Sequence, residues 1–361
     1  VDKIVECVPN FSEGRDPAVF EALSEAVSQV DDVLLLDVDP DPSYNRVVVT
    51  FVGSPDGVVE AAYRATKVAG EKIDMRTHKG EHPRFGAIDV CPFVPVKNVN
   101  TEECAELARR YGARVGEELG YPVYLYEAAA SRPERKNLAK VRSGEYEGLA
   151  EKITTPEWKP DFGPAAFVPS FGAVAAGSRF FLVAYNVNLA TTDVAAAQRV
   201  AEAVRQIGGP KRDREGRIVT RNGKPVKQKG KLRLVKGMGV AVEPETGKPF
   251  CQISMNLTNY LITPPHVAFE EVRFEAQKLG IETTGSEVVG LVPLEPLLLA
   301  AEYYRTIEGE NNSQAAHTAP SSVTESELIA LAAQRLGLSD YNPFEPESKI
   351  IERRIAAAGW K

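Results

Sequence analysis

The strongest constraint on how this chain can fold is an order of segments that occurs twice: strand, helix, strand, strand, helix, strand. Lys3–Val8 is an apolar run of strand length. Asp16-Pro17 then supplies an N-cap and a proline at the first helical position, followed by Phe20, Leu23, Val27 and Val30 at helical spacing. Val33–Val38 and Arg46–Val52 read as strands. Ser54-Pro55 opens a helix carrying Val59, Ala62, Tyr63 and Thr66 on one face, and Ala87–Val94 is a further strand. Asn100-Thr101-Glu102-Glu103 is a capping box, and Val123–Glu127 is again strand-like.

The second half echoes the first. Arg179–Asn188 reads as a strand, and Thr192-Asp193 starts a helix with Ala197, Val200, Val204 and Ile207. Leu232–Val242 and Phe250–Leu257 follow as strands, and Pro264-Pro265 opens a helix with Ala268, Val272 and Ala276. Gly285–Pro293 is a loose counterpart of Gly86–Pro95, and Ser326–Leu338 is a final helix. The order is that of a ferredoxin-like unit. The expectation is therefore an α/β chain (an α+β sandwich) of two related ferredoxin-like sub-domains, 1–178 and 179–361. Each has a mainly antiparallel sheet with helices on one side. Gly208–Gly230 reads as an exposed loop or hairpin, and Glu308–Ser322 as a mobile connection.

Composition narrows the function classes. A formal net charge of −7 over 361 residues argues against general nucleic-acid or anionic-membrane binding. No apolar run is long enough to span a bilayer, and Val1–Val5 enters a strand-like run with no signal peptide expected before it. Cys7, Cys91, Cys104 and Cys251 show no metal or disulfide spacing. They read as small buried residues of a cytoplasmic protein.

Histidine is scarce, with four in the chain, and two of them fall in Arg76-Thr77-His78-Lys79-Gly80-Glu81-His82-Pro83-Arg84-Phe85-Gly86. His78–His82 fits the H-x-x-E-H pattern of zinc peptidases, which requires a continuous helix. Gly80 costs about 1 kcal/mol in a helix interior, and Pro83 pushes His82 out of the α region. No metal is expected. What remains is a loop that either places an imidazole for proton transfer or satisfies its histidines structurally. Asp39, in the acidic run Asp37–Arg46, can orient such an imidazole or serve the turn.

Two further segments invite a ligand. Asp161-Phe162-Gly163-Pro164-Ala165-Ala166-Phe167-Val168-Pro169-Ser170-Phe171-Gly172, at the junction of the halves, offers backbone donors and aromatic faces to a flat heterocycle, or serves as a packed linker. Lys211–Lys236 carries eleven Lys/Arg against Asp213 and Glu215. This is a cationic patch for a polycarboxylate, or a solvated loop. It ends in Lys236-Gly237-Met238-Gly239, whose glycines would let a ligand approach the backbone.

Val5-Glu6-Cys7-Val8-Pro9-Asn10-Phe11-Ser12-Glu13-Gly14, Leu36–Asp39, His78–Gly86 with Asp89–Phe93, Val123–Tyr126, Asp161–Gly172, Asn186–Leu189 and Gly290–Leu294 together resemble the formiminotransferase domain of the bifunctional formiminotransferase–cyclodeaminases. The resemblance implies two sub-domains with facing sheets, helices outside and substrates held between them. It implies transfer of a formimino group from N-formimino-L-glutamate to N5 of tetrahydrofolate, a polyglutamate co-substrate, late in histidine degradation. It places His82 on the catalytic histidine, and with that role assigned Asp39 is the carboxylate expected to orient it. It places Gly163–Gly172 and Gly230-Lys231-Leu232-Arg233-Leu234-Val235-Lys236-Gly237-Met238-Gly239 on the folate-contacting segments. It also implies a homodimer. The loop Gly208–Gly230 is longer than in the animal enzymes, and no cyclodeaminase domain follows Trp360, so cyclisation is expected of a separate protein. Formyl transfer from N-formyl-L-glutamate and non-catalytic folate binding are the alternatives.

Overall fold

The computed structural model describes residues 2–80, 83–213, 215–244, 247–311 and 323–360, with side chains described only to 307 in the helix that ends at 311. Two compact units emerge, Val1–Phe180 with Ala358–Lys361, and Phe181–Ala357.

In the first unit the opening strand is broken into β1 (Ile4–Cys7) and β2 (Asn10–Phe11) by Val8-Pro9. Helix α1 (Pro17–Ser28) starts where Asp16 accepts the Ala18 N–H, with proline at its first turn. The hairpin β3 (Val33–Asp41) and β4 (Arg46–Gly53) follows, then α2 (Pro55–Lys72), capped by Ser54. Next come β5 (Ile88–Lys97) and α3 (Thr101–Arg114), whose Asn100–Glu103 capping box is complete. The order β3-β4-β1/β2-β5 is antiparallel throughout, as a ferredoxin-like unit requires. Val5, Cys7, Phe11, Val47, Val49, Phe51 and Phe93 are fully buried in one core with Leu23, Val27, Ala62 and Ala65 of the helices.

This sheet is longer than expected. Strand β6 (Val123–Glu127) and strand β7 (Val174–Ser178) extend it in parallel, with β7 inserted between β5 and β6. Val174-Ala175-Ala176-Gly177-Ser178 gave no strand signal because small residues have weak β propensity. The reason for them is spatial, since a Cβ at Gly177 would press on the Tyr126 ring. Two short helices, α4 (Leu138–Val141) and α5 (Glu145–Lys152), complete the unit.

The second unit begins with β8 (Val183–Leu189) and α6 (Val194–Val204), capped by Asp193. The strand starts at Val183 rather than Arg179. The expected exposed hairpin is present: β9 (Gly209–Pro210) pairs with β12 (Lys227–Gln228), and β10 (Thr220–Arg221) with β11 (Lys224–Pro225). Asn222-Gly223, both at positive φ, make its two-residue turn. Then come β13 (Val235–Val242), β14 (Phe250–Leu257), α7 (Pro265–Gln277) and β15 (Thr283–Val289). The sheet order β13-β14-β8-β15 is antiparallel, the same ferredoxin-like order as in the first unit. Strand β13 begins three residues later than the expected start at Leu232, because Leu234 sits at φ 56°. The unit closes with α8 (Leu294–Asn311), α9 (Glu325–Leu336), α10 (Pro346–Lys349) and α11 (Ile351–Ala357). The segment expected as a mobile connection from Glu308 starts inside α8, and its remainder, 312–322, lies outside the described residues.

Candidate active site

The expected catalytic histidine, His82, lies outside the described residues together with Glu81. The residues on either side of it are described, and neighbouring elements hold them closely. On the near side, Asn45 in the β3–β4 turn is at φ 48°, a conformation asparagine tolerates. Its Oδ1 accepts the Gly14 N–H at 2.9 Å, and its Nδ2 donates to the Lys79 carbonyl at 2.9 Å. One side chain thus joins three loops. Gly80 lies so close beneath this turn that a Cβ would overlap the Tyr44 carbonyl oxygen. The glycine therefore serves a close approach between loops, and residues 78–80 and 83–84 are not helical.

His78 is buried, and its Nε2 lies 2.8 Å from the Asn45 carbonyl. A carbonyl only accepts, so Nε2 carries the proton and Nδ1 is bare. Nδ1 has no hydrogen-bond partner among the described residues. Burial lowers the His78 pKa, keeping the ring neutral. The first histidine of the pair thus buttresses the loop.

On the far side, Arg142 Nη2 donates to the Pro83 carbonyl at 2.7 Å. The same guanidinium grips Asp89, Nε to Oδ1 at 2.9 Å and Nη2 to Oδ2 at 2.7 Å. Asp89 Oδ1 also accepts the Phe85 N–H at 3.1 Å. Arg84, ion-paired with Glu147 at 2.7 Å, donates to the His78 carbonyl. Ser12 Oγ donates to the Gly86 carbonyl at 2.8 Å. Desolvation raises the Asp89 pKa to about 6 against the pull of Arg142 and Arg46.

The adjoining face of the sheet is polar. Asp37, Asp39 and Asp41 alternate along β3, opposite Thr50, Val48 and Arg46 of β4. Asn10 of β2 also pairs with Val48, so Asn10 and Asp39 flank it on one face. Arg46 donates from Nη2 to Asn10 Oδ1. Burial lowers the Arg46 pKa, while Asp89, Asp41 and Asp39 favour its charge. Arg46, Asp89, Arg142 and Asn45 were not singled out as site residues in the sequence. The available signal was limited to single charges in largely apolar strands, Arg46 at the start of β4 and Asp89 in β5; Arg142 follows a helix and Asn45 lies in a turn, where nothing local marks them.

The glycine and aromatic segment lies against the histidine loop. Met75 N–H donates to the Ser170 carbonyl at 2.9 Å, Ala87 N–H to the Phe171 carbonyl at 2.7 Å, and Gly86 and Gly172 form a bridge. Tyr146 Oη donates to the Pro169 carbonyl at 2.6 Å. Gly163, at φ 79°, packs on Tyr121 and on Gly116 at the end of α3. Phe171 is fully buried and stacks on Tyr121 at 3.7 Å, so its ring is spent on the core. Phe167 is half-buried against Tyr146, and Ala165, Ala166 and Pro169 are exposed.

Gly230–Gly239 belongs to the second unit. Lys231 pairs with Glu271 at 2.7 Å and Glu275 at 2.6 Å, which satisfies its charge locally. Arg233 and Lys236 are exposed. Gly239 faces α6, where a Cβ would overlap the Gln198 backbone nitrogen, so this glycine serves helix packing. The positive-φ Leu234 is held by Gln206 Oε1, which accepts its N–H at 2.5 Å, and by Thr258, whose N–H donates to its carbonyl at 2.9 Å.

These features define a protein of two ferredoxin-like α/β units, with a polar cluster and a clamped histidine loop at the strand ends of the first. The chain belongs to the formiminotransferase family. Residues 4–179 match the formiminotransferase domain, N-terminal subdomain, and residues 184–356 the formiminotransferase domain. It is 47% identical over 98% of its length to a formimidoyltransferase-cyclodeaminase of Dictyostelium discoideum, of which it spans 61%. It is 46% identical over 85% of its length to a glutamate formimidoyltransferase of Thermoplasma acidophilum, and 42% over 85% to one of Streptococcus pyogenes serotype M1, covering 93% and 94% of those chains. The chain thus spans about three fifths of the length of the fused relatives and most of the length of the shorter ones. No described helix is long and apolar enough to cross a membrane.

Proposed function

We propose that this protein transfers the formimino group of N-formimino-L-glutamate to N5 of tetrahydrofolate, giving 5-formimino-tetrahydrofolate and L-glutamate. Beyond family membership, the observation that carries this reading is the clamping of the loop on both sides of His82. Asn45 and Arg84 hold the chain before it, and Arg142, Asp89 and Ser12 hold the chain after it. A loop whose backbone is pinned by side chains from separate elements suits a residue that must be positioned for chemistry.

In the proposed reaction N5 attacks the protonated amidine carbon, forming a C–N bond, and His82 takes the proton from N5. The tetrahedral adduct then collapses, the bond to the glutamate nitrogen breaks, and His82 returns the proton to that nitrogen. One histidine serves as base and then acid, typically worth about 10²–10⁴-fold. Asp39 is the proposed orienting partner of His82; its position on the polar face of β3 supports that assignment. Gly163–Gly172 and the segment Gly230–Gly239 are the proposed folate contacts, with Gly239 itself packed on α6, and exposed Arg233 and Lys236 suit the carboxylates of a polyglutamate tail. A cytoplasmic homodimer belongs to the same proposal.

The test is direct. Protein, tetrahydrofolate and formiminoglutamate are mixed and acid-quenched to convert the product to the strongly absorbing 5,10-methenyl form. Signal that depends on both substrates and is lost in His82→Ala is expected. Signal only with N-formyl-L-glutamate would reassign the donor. Folate binding without turnover of either donor would make the chain a binding protein.

A further inference from the structure

The second unit carries a polar cluster outside the segments assigned to the site above. Asn186 and Asn188 project from one face of β8, and their cross-strand partners include Glu287 on β15 and Gln252 on β14. Partners across a ladder share a face, so these four side chains lie together. The opposite face of the sheet is the apolar one. Tyr185, Val187, Leu189, Cys251 and Ile253 are fully buried there, under α6 and α7, which pack on each other.

Gln252 Nε2 donates to Asn188 Oδ1 and to Glu287 Oε1, both at 2.8 Å. Asn186 Nδ2 reaches Glu287 Oε1 at 3.2 Å, and Asn342 Nδ2 reaches Oε2 at 3.2 Å. Among the described residues Glu287 has amide partners only. Glu287 is half-buried on the edge strand β15, and a carboxylate partly withdrawn from water with no counter-cation among the described residues carries a desolvation cost that an apolar residue there would not. Its two 3.2 Å bonds leave one position on each oxygen that a better-placed donor can take, and a cationic fork that engages both oxygens makes shorter bonds of about 2.7–2.9 Å. The complement is a planar ligand edge with two adjacent N–H groups and positive character.

On the formimino-transfer reading above, we propose that Glu287, oriented by Gln252, binds such an edge. Both proposed substrates present two adjacent N–H groups: the amidinium of formiminoglutamate, which also carries the positive charge, and the neutral aminopyrimidinone edge of the pterin ring. Neither Glu287 nor Gln252 takes part in proton transfer here. They position the ligand.

The experiment uses the full chain with Glu287→Gln, which removes the charge at constant shape, and Glu287→Asp, which keeps the charge but shortens its reach. Thermal unfolding checks the fold. The KM for formiminoglutamate is measured by the acid-quench assay, and the Kd for tetrahydrofolate by fluorescence titration without donor. Glu287→Gln is expected to weaken one constant by roughly 10–100-fold, the loss typical of a hydrogen-bonded charge, with Glu287→Asp falling between. A raised KM with unchanged folate Kd assigns the amidinium, and the reverse assigns the pterin. If the wild type is active while a folded Glu287→Gln, or Glu287→Asp should the first not fold, keeps both constants within twofold, the inference is overturned and the reaction stands. A loss confined to kcat overturns it too. A wild type that neither binds folate nor turns over overturns both.

Discussion

Asn45 offers the sharpest test of how the candidate loop is held. Its side chain makes two hydrogen bonds, to the Gly14 N–H and the Lys79 carbonyl, and the residue is 7% exposed. Asn45→Ala removes both and leaves a buried donor at Gly14, at about 1 kcal/mol for each bond. It also puts a Cβ with no compensating polar group at φ 48°, about 1 kcal/mol more. The sum is about 3 kcal/mol. For a unit of this size that is about 6–12 °C in Tm. Asn45→Gly loses the same bonds but not the backbone penalty, so it should recover about 1 kcal/mol. Urea denaturation of the three proteins reads these differences. At a temperature where all are folded, turnover should fall in both variants, since each frees Lys79 three residues before His82. If Asn45→Ala stays within 0.5 kcal/mol of wild type, or both variants keep full turnover, the side chain is not the clamp described.

Three further outcomes follow from the same geometry. Gly80→Ala forces a Cβ onto the Tyr44 carbonyl, so it should cost about 1–3 kcal/mol by overpacking and lower kcat more than folate affinity; unchanged kinetics in a stable variant would contradict the close approach. Asp89 has a folded pKa of about 6, above its unfolded value, so its contribution to stability is present in acid and lost as pH rises through 6. The wild type should therefore lose about 2 kcal/mol relative to Asp89→Asn between pH 4 and 7 in chemical denaturation, and a flat difference would refute the assigned burial cost. Gly239→Ala should lower unfolding stability by about 1–3 kcal/mol through its overlap with α6 while the folded protein binds tetrahydrofolate normally; a selective loss of binding would return this glycine to the ligand.

What the sequence made legible follows from how local each signal is. Asp16-Pro17, Ser54-Pro55 and the Asn100–Glu103 box act within one turn of chain, so the helix starts fall where the capping residues put them. The two ferredoxin-like orders follow from period and punctuation, which are also local. Strand β7 escaped notice because Ala175, Ala176 and Gly177 are small for reasons set by Tyr126 and α3, residues far away in sequence. The glycines show the same limit. Gly80 and Gly239 could each have faced a ligand, a helix or a turn, and only the neighbouring chain decides: the Tyr44 carbonyl in one case, the Gln198 backbone in the other. The site residues divide in the same way. A histidine in a loop is conspicuous by its rarity. Arg46, Asp89 and Arg142 draw their significance from one another, and 43 and 53 residues of chain separate Asp89 from its two partners. A charged residue inside a strand is therefore better read as half of a pair whose other half must be sought across the fold, and for Glu287, whose partners among the described residues are amides alone, we seek that half in a ligand.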